Sequence, residues 1–256
     1  MPVIHQPADA AGIARITLAN PGKLNALTAA MWRELRAAVG DCESDAATRV
    51  VIVSGEGGNF AAGGDIEEFP DFRFEAATLA RFHEEDVLPA LAALRDCELP
   101  LVAQIEGACI GGGLEIAACC DIRIAGEGAR LGVPIAKLGF PMAPAELEIV
   151  ASVIGARVLR ELLIEARVLG AAEAFARGLV THVVPDARVA AEAQAAAERI
   201  ARLSPQAMRL NKRALREFMR WRWSTADERA PHYDYASTAE HREGLAAFNQ
   251  KREPRF

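Results

Sequence analysis

No uninterrupted apolar run in the chain reaches the roughly eighteen residues that a membrane-spanning helix needs. There is no Lys- or Arg-rich block either, and 29 basic against 35 acidic residues give a formal net charge of -6. That balance lacks the electrostatic footprint of a protein that grips a phosphate backbone, so neither a membrane nor nucleic acid is an expected partner. The five cysteines, at positions 42, 97, 109, 119 and 120, are odd in number and form no Cys-x-x-Cys pair with a matching second pair. Neither a zinc site nor a disulfide framework is signalled, and buried free thiols are expected. The opening MPVIHQPADAAG has no basic start and no apolar middle, unlike a secretory leader, and the expectation is a cytoplasmic protein. No low-complexity linker interrupts the chain, since the Ala-rich AAEAQAAAE reads as helix.

What the 256-residue chain does have is an apolar fraction of 51%, enough to fill the core of one large domain or two small ones. ARITLA (14–19), RVVIVSG (49–55), PLVAQIEG (100–107), DIRIAG (121–126) and GLVTHVV (178–184) read as strands. Between them LTAAMWRELRAAVGDCE (27–43) and ATLARFHEEDVLPALAALRD (77–96) carry helical periodicity. Strand, helix, strand order predicts an α/β core. Beyond Pro185 the strand signals stop, and residues 187–203, 204–224 and 238–252 read as helices, the second with Ser204 as N-cap and Pro205 at its first position.

The segment CIGGGLEIAACCDIRIA (109–125) sets three glycines before an apolar run that carries one carboxylate, Glu115. In a helix whose first turn begins at those glycines, the free N–H groups point beyond its end, and the missing side chains allow close approach. That arrangement binds an oxyanion. Glu115 follows Gly112 by three residues on the same face, within reach of a group held by the Gly112 amide. Taken alone, the pattern fits equally well glycines that permit tight packing and a glutamate that complements the helix dipole. GNFAAGGDIEEF (58–69) breaks the tie by placing Gly63 and Gly64 after a predicted strand and before an acidic turn. Two glycine loops can grip one oxygen.

With NPGKLNAL (20–27), ARGLVTHVVP (176–185) and HREGLAAFNQKREPRF (241–256), these segments resemble the enoyl-CoA hydratase/isomerase, or crotonase, family over nearly the whole chain. The resemblance implies a spiral of repeated ββα units over residues 1–200 and a helical region over 201–256 that packs on subunit neighbours in a homotrimer or dimer of trimers. It implies an acyl-CoA substrate, with coenzyme A present only as part of that substrate and no separate cofactor or metal. The two backbone amides that hold the thioester oxygen in the family match Gly64 and Gly112, and the first catalytic glutamate matches Glu115. The loop that meets the adenine end of coenzyme A matches Ala62, Gly63 and Asp65. Lys23, Phe248 and Lys251 match positions that contact the nucleotide phosphates, sometimes across a subunit boundary.

One segment departs from the family pattern. A hydratase carries a second glutamate in a stretch resembling GxPExxLGxxPGxGGT, whereas GVPIAKLGFPMAPAEL (132–147) has Ile135 there, and Met142 where some isomerases carry theirs. Both are expected to line the acyl pocket. Hydration uses two carboxylates that bracket one water, and isoleucine performs neither half. Pro144 puts Glu146 in a first helical turn, where the dipole favours a carboxylate in any case; Glu146 rather than Glu148 is the candidate for a displaced second acid, and at most an assistant to Glu115. The helix N-terminus is expected to hold Glu115 ionised. His83, Glu84, Glu85 and Asp86 point around a helix rather than toward one metal, and read as a solvated face with one side near the acyl pocket. The tryptophans of MRWRWS (219–224) read as core or interface residues. Three functions follow in order: hydration of a 2-enoyl-CoA, double-bond isomerisation by a single glutamate, and non-catalytic binding of CoA thioesters.

Overall fold

The computed structural model describes residues 2–219, 227, 230 and 236–252, so the tryptophans at 221 and 223 lie outside the described residues. All five predicted strands join one sheet. β1 (Val3–Gln6) pairs antiparallel with β2 (Ile13–Leu18), and β3 (Val50–Gly55), β4 (Leu101–Ile105), β6 (Ile122–Gly126) and β9 (His182–Val184) continue it in parallel. The sequence does not signal β1 or three further strands: β5 (Ala108–Ile110), parallel to β7 (Arg130–Gly132), which is antiparallel to β8 (Val168–Gly170). These segments of three or four residues are too short to show a period, whereas β9, equally short, ends a longer apolar run that begins at Gly178.

Alternation along the strands sorts side chains between two cores. Ile16, Leu18, Val51, Val53, Leu101 and Ala103 enter the larger one, with residues of α1 (Ala29–Ser44), α4 (Leu88–Asp96) and α5 (Gly112–Cys119). Ile13, Val50, Ile52 and Val102 point the other way, under α9 (Val189–Ala201), whose Val189, Ala193, Ala196, Ala197 and Ala201 form one stripe at helical spacing. Thr28 starts α1, its hydroxyl accepting the Met31 amide at 3.1 Å. All five cysteines are buried and free.

A second row of backbone pairing runs from the parallel bridges Leu27–Gly64 and Ala61–Cys109 into the β5–β7–β8 sheet. Each turn of chain therefore supplies a strand to the large sheet, a short extended piece to this row, and then helix. The sequence β4, β5, α5 is one such turn, and β6 and β7 lead into the next, followed by α6 (Pro144–Ile154) and α7 (Ala156–Ile164). This is the predicted spiral of ββα units.

The helix predicted over 77–96 is broken. After α2 (Phe69–Phe72), α3 (Ala76–Arg81) gives way to a π-helical turn at Phe82–Val87 before α4 begins. Pro89, in the first turn of α4, is the physical reason: it has no amide to donate, and its ring crowds the carbonyl four residues back, so the preceding turn widens. The Leu88 amide accordingly reaches the His83 carbonyl, five residues back.

Beyond α8 (Ala171–Ala176) and α9, α10 (Pro205–Met219) opens with the Ser204 hydroxyl accepting the Ala207 amide at 3.2 Å. α11 (Ala239–Asn249) lies against its own chain: a Cβ on Gly244 would stand 2.2 Å from the Leu138 carbonyl carbon, and Leu245 packs with Phe69 and Phe140. Among the described residues no helix is long and apolar enough to cross a membrane.

The seating of α5 on the neighbouring turn is testable at Gly113, where an added Cβ would lie 2.6 Å from the Ala61 carbonyl oxygen. Gly113→Ala is expected to cost about 1–3 kcal/mol in urea unfolding, the usual scale of overpacking. Unchanged stability would mean that α5 does not seat on residue 61 in this way.

Candidate active site

α5 begins where β5 leaves the row of short strands. Gly111, at φ 52°, takes a backbone conformation that suits only glycine, and a Cβ there would meet the Gly63 Cα at 3.5 Å. A Cβ on Gly63, at φ 96°, would meet the Ile110 carbonyl oxygen at 3.3 Å. The two glycine loops thus touch. The Ala61 amide donates to the Ala108 oxygen and the Ile110 amide to the Ala61 oxygen, both at 2.9 Å, which brings Gly64 and Gly112 to the wall of one cavity. Among the described residues neither the Gly64 nor the Gly112 amide has a protein acceptor, and Gly112 is in the first turn of α5, where amides have no intrahelical partner. Two donors facing one cavity suit a carbonyl oxygen that gathers charge.

The cavity holds about 730 Å³ including its open mouth, and Trp32, Phe69, Phe82, Ile135, Leu138 and Met142 give it apolar walls. Ile135 and Met142 line it as expected. Into this lining project four polar side chains: Glu115, Glu146, His83 and Arg73, each buried. Glu115 belongs to the first turn of α5 and Glu146 to the first turn of α6, so two helix starts converge. His83 comes from the π-helical turn, and its Nδ1 is 2.5 Å from Glu146 Oε1. Arg73 follows α2; its guanidinium lies 4.2 Å from the Phe69 ring centroid and 4.0 Å from that of Phe140.

Burial governs the titration of this group. It pushes Glu115 well above the usual carboxylate range, the charge of Glu146 adds to the push, and Arg73 opposes it. Glu146 is raised to about 8, again chiefly by burial, with Arg73 and the Ala143 amide lowering it and Glu84 raising it. His83 is driven well below its ordinary value by burial and then by Arg73. The shift runs against the sequence-based expectation that the helix N-terminus holds Glu115 ionised, because desolvation opposes the dipole. Two carboxyl groups raised in one cavity titrate as a pair.

The remaining expected contacts divide. Ala62 and Gly63 line the cavity. Lys23 reaches back to Asp65 and Glu67, both at 2.7 Å, while buried Asp65 accepts the Glu67 amide at 3.2 Å and starts a 3-10 turn. Phe248 and Lys251 are exposed near the C-terminal end of α11 and are not part of the cavity wall. Glu148 is also outside it. Sequence reasoning missed Arg73 altogether and read His83 within a solvated face; Glu85 is exposed, but His83 turns inward. The available signals were Pro89, which marks the widened turn, and the three phenylalanines at 69, 72 and 74 that surround Arg73 in sequence.

Paired backbone amides beside buried acids, on a spiral of ββα turns, form a site suited to polarising a carbonyl and moving protons next to it. A family profile described as enoyl-CoA hydratase/isomerase matches residues 8–256, and the chain belongs to that family. A probable enoyl-CoA hydratase of Mycobacterium tuberculosis is 35% identical over 243 residues, 94% of this chain and 93% of its own. The mitochondrial methylglutaconyl-CoA hydratase of Mus musculus is 32% identical over 268 residues, 99% of this chain and 82% of its own. A crystal structure of an enoyl-CoA hydratase/carnithine racemase from Magnetospirillum magneticum, 38% identical, superposes with a TM-score of 0.80 over 99% of this chain and 94% of that one.

The raised carboxyl has a stability signature. In the unfolded chain Glu146 ionises near 4.5, whereas in the folded protein it does so at about 8. The unfolded state therefore releases the proton first, and folding stability is lost as pH rises between those values. Glu146→Gln removes this loss, so its stability relative to wild type is expected to improve by at least about 1 kcal/mol from pH 5 to pH 8.5. A difference that stays constant across that range in paired thermal melts would contradict the burial of an ionisable group here.

Proposed function

We propose that the chain adds water across the double bond of a 2-enoyl-CoA thioester. The observation that carries this reading is the second buried carboxyl: Glu146 faces the same cavity as Glu115, although Ile135 and Met142 occupy the positions where the family pattern offers a second glutamate. The hydratase names of the relatives agree with it.

In this mechanism the thioester oxygen accepts hydrogen bonds from the Gly64 and Gly112 amides, which draws electron density from the β-carbon. One carboxylate of the Glu115–Glu146 pair takes a proton from water as the water oxygen bonds to that carbon. The double-bond electrons move onto the thioester oxygen as an enolate, held by the two amides. The partner carboxyl then gives its proton to the α-carbon and the carbonyl re-forms. Each turnover moves one proton between the pair, and exchange with solvent resets it. In its singly ionised form the pair supplies acid and base together.

Coenzyme A binding follows the loop at Ala62, with Lys23, Phe248 and Lys251 as the candidates for the nucleotide phosphates; Lys23 must then leave Asp65 or Glu67. Assembly as a homotrimer or dimer of trimers in the cytoplasm is proposed with it, using apolar side chains that this chain leaves exposed, such as Ile164, Phe175 and Leu215. Sedimentation should give a trimer or hexamer, and a stable monomer at micromolar protein would remove the assembly and leave the fold intact.

Purified protein is expected to hydrate at least one 2-enoyl-CoA of short to medium chain. Glu115→Gln and Glu146→Gln should each lower kcat by about a hundredfold to ten-thousandfold, with binding of acetoacetyl-CoA, an enolate mimic, largely kept. Conversion of 3-enoyl esters without hydration would instead establish the single-glutamate isomerase. Acetoacetyl-CoA binding without any turnover would leave a non-catalytic thioester-binding protein. Because the base must be ionised and Glu146 is raised to about 8, kcat/KM should climb with pH from 6 toward about 8. A profile already flat at pH 6 would place the base elsewhere.

A further inference from the structure

Glu146 is not held by its own helix alone. The π-helical turn Phe82–Val87 delivers His83 to it at 2.5 Å, both groups are buried, and the Phe82 ring packs edge-on against the imidazole at 5.2 Å. The Phe72 ring in turn stacks on Phe82 at 4.1 Å. Such support fixes the ring plane. The charged and titratable groups that bear on this pair from the surrounding elements are Glu115 on α5, Arg73 after α2 and Glu84 on the same turn as His83.

A neutral imidazole has one nitrogen that accepts and one that donates, and its tautomers exchange these roles. When Glu146 carries a proton, its hydroxyl donates to a bare Nδ1. When Glu146 is ionised, an Nδ1–H donates to the carboxylate. The same contact thus survives both protonation states without placing a second charge in the cavity. A lysine would favour only the ionised carboxylate, and a neutral hydrophobic side chain would support neither state. Resting on the hydratase reading above, we infer that His83 is a positioning residue that holds Glu146 in one geometry through gain and loss of its proton, making Glu146–His83 the displaced second half of the acid–base pair.

The test uses the full-length protein with His83→Leu and His83→Gln, the latter keeping a neutral donor and acceptor. Steady-state kinetics on the best 2-enoyl-CoA are measured from pH 6 to pH 9. Deuterium exchange at the α-carbon of a saturated acyl-CoA is followed in parallel, since that exchange needs the amides and an acid–base group but no water addition. The exchange assay separates failure of this inference from failure of the hydratase reading. His83→Leu is expected to lower kcat about tenfold to a hundredfold with KM within about threefold, and to move the acidic limb of the profile up by about one pH unit, because the carboxylate loses a donor. His83→Gln should recover most of both. A purely structural strut would change thermal stability and leave the limb where it is, and that result would overturn the assignment. Should His83→Leu fail to fold, ¹⁵N spectra of the wild type decide: a neutral ring that changes tautomer over the pH interval of the activity limb supports the inference, and a ring that is charged or fixed in one tautomer overturns it.

Discussion

Two hydrogen bonds, from the Ala61 amide to the Ala108 oxygen and from the Ile110 amide to the Ala61 oxygen, set the distance between the two glycine loops. Neither loop makes a site alone. A single exposed amide at the end of a strand is a common feature, whereas two amides aimed at one point need their chain segments locked in register. The spiral supplies that lock, because each turn adds its short strand beside the previous one and then starts its helix. Gly112 inherits its position from Cys109 in the bridge, and Gly64 follows Ala61 by three residues on the neighbouring rung. The tight seating of Gly113 on Ala61 and the left-handed conformations of Gly63 and Gly111 are consequences of bringing those rungs so close.

The electrostatics follow from the same closeness. Once the loops meet, the start of α5 faces an apolar chamber rather than water, and the first-turn carboxyl of Glu115 is desolvated. Glu146 arrives from the start of α6 under the same penalty. A helix dipole contributes a fraction of a charge at its end, and removal from water costs a carboxylate more than that returns. The result is a chamber that favours neutral acids, tempered by the one guanidinium of Arg73 held against phenyl rings. The chamber thus keeps two ionisable groups where their charged forms are disfavoured.

Much of this was legible in the sequence, and the boundary has physical causes. The large sheet was readable because each of its central strands alternates between two buried faces over five or six residues. The short row was not, since its members show no period and pair only because the spiral places them together. Gly64, Gly112 and Glu115 were readable because glycine runs and a lone carboxylate stand out against an apolar background. Glu146 was visible as a helix-start residue but not as part of the chamber, because the turn from Pro134 to Leu138 and the path into Pro144 decide which way α6 faces. His83 and Arg73 were hidden for a different reason: His83 precedes three acidic residues and Arg73 is itself a charged side chain, and only the widened turn and the phenylalanine cluster turn them inward.

The π-helical turn at Phe82–Val87 also bears on how such a site is acquired. A π turn is an α-helix carrying one surplus residue, accommodated locally while the flanking helices keep their packing against α1 and the core. Residues on the far side of the turn rotate by about 100° relative to an uninterrupted α-helix, since one residue occupies that angle. A position that would otherwise face solvent can in this way be swung into the chamber without altering any strand, glycine loop or rung of the spiral. The support given to the Glu146 carboxyl is thereby separable from the glycine loops, because one turn of one helix carries His83 while the two loops keep their own register.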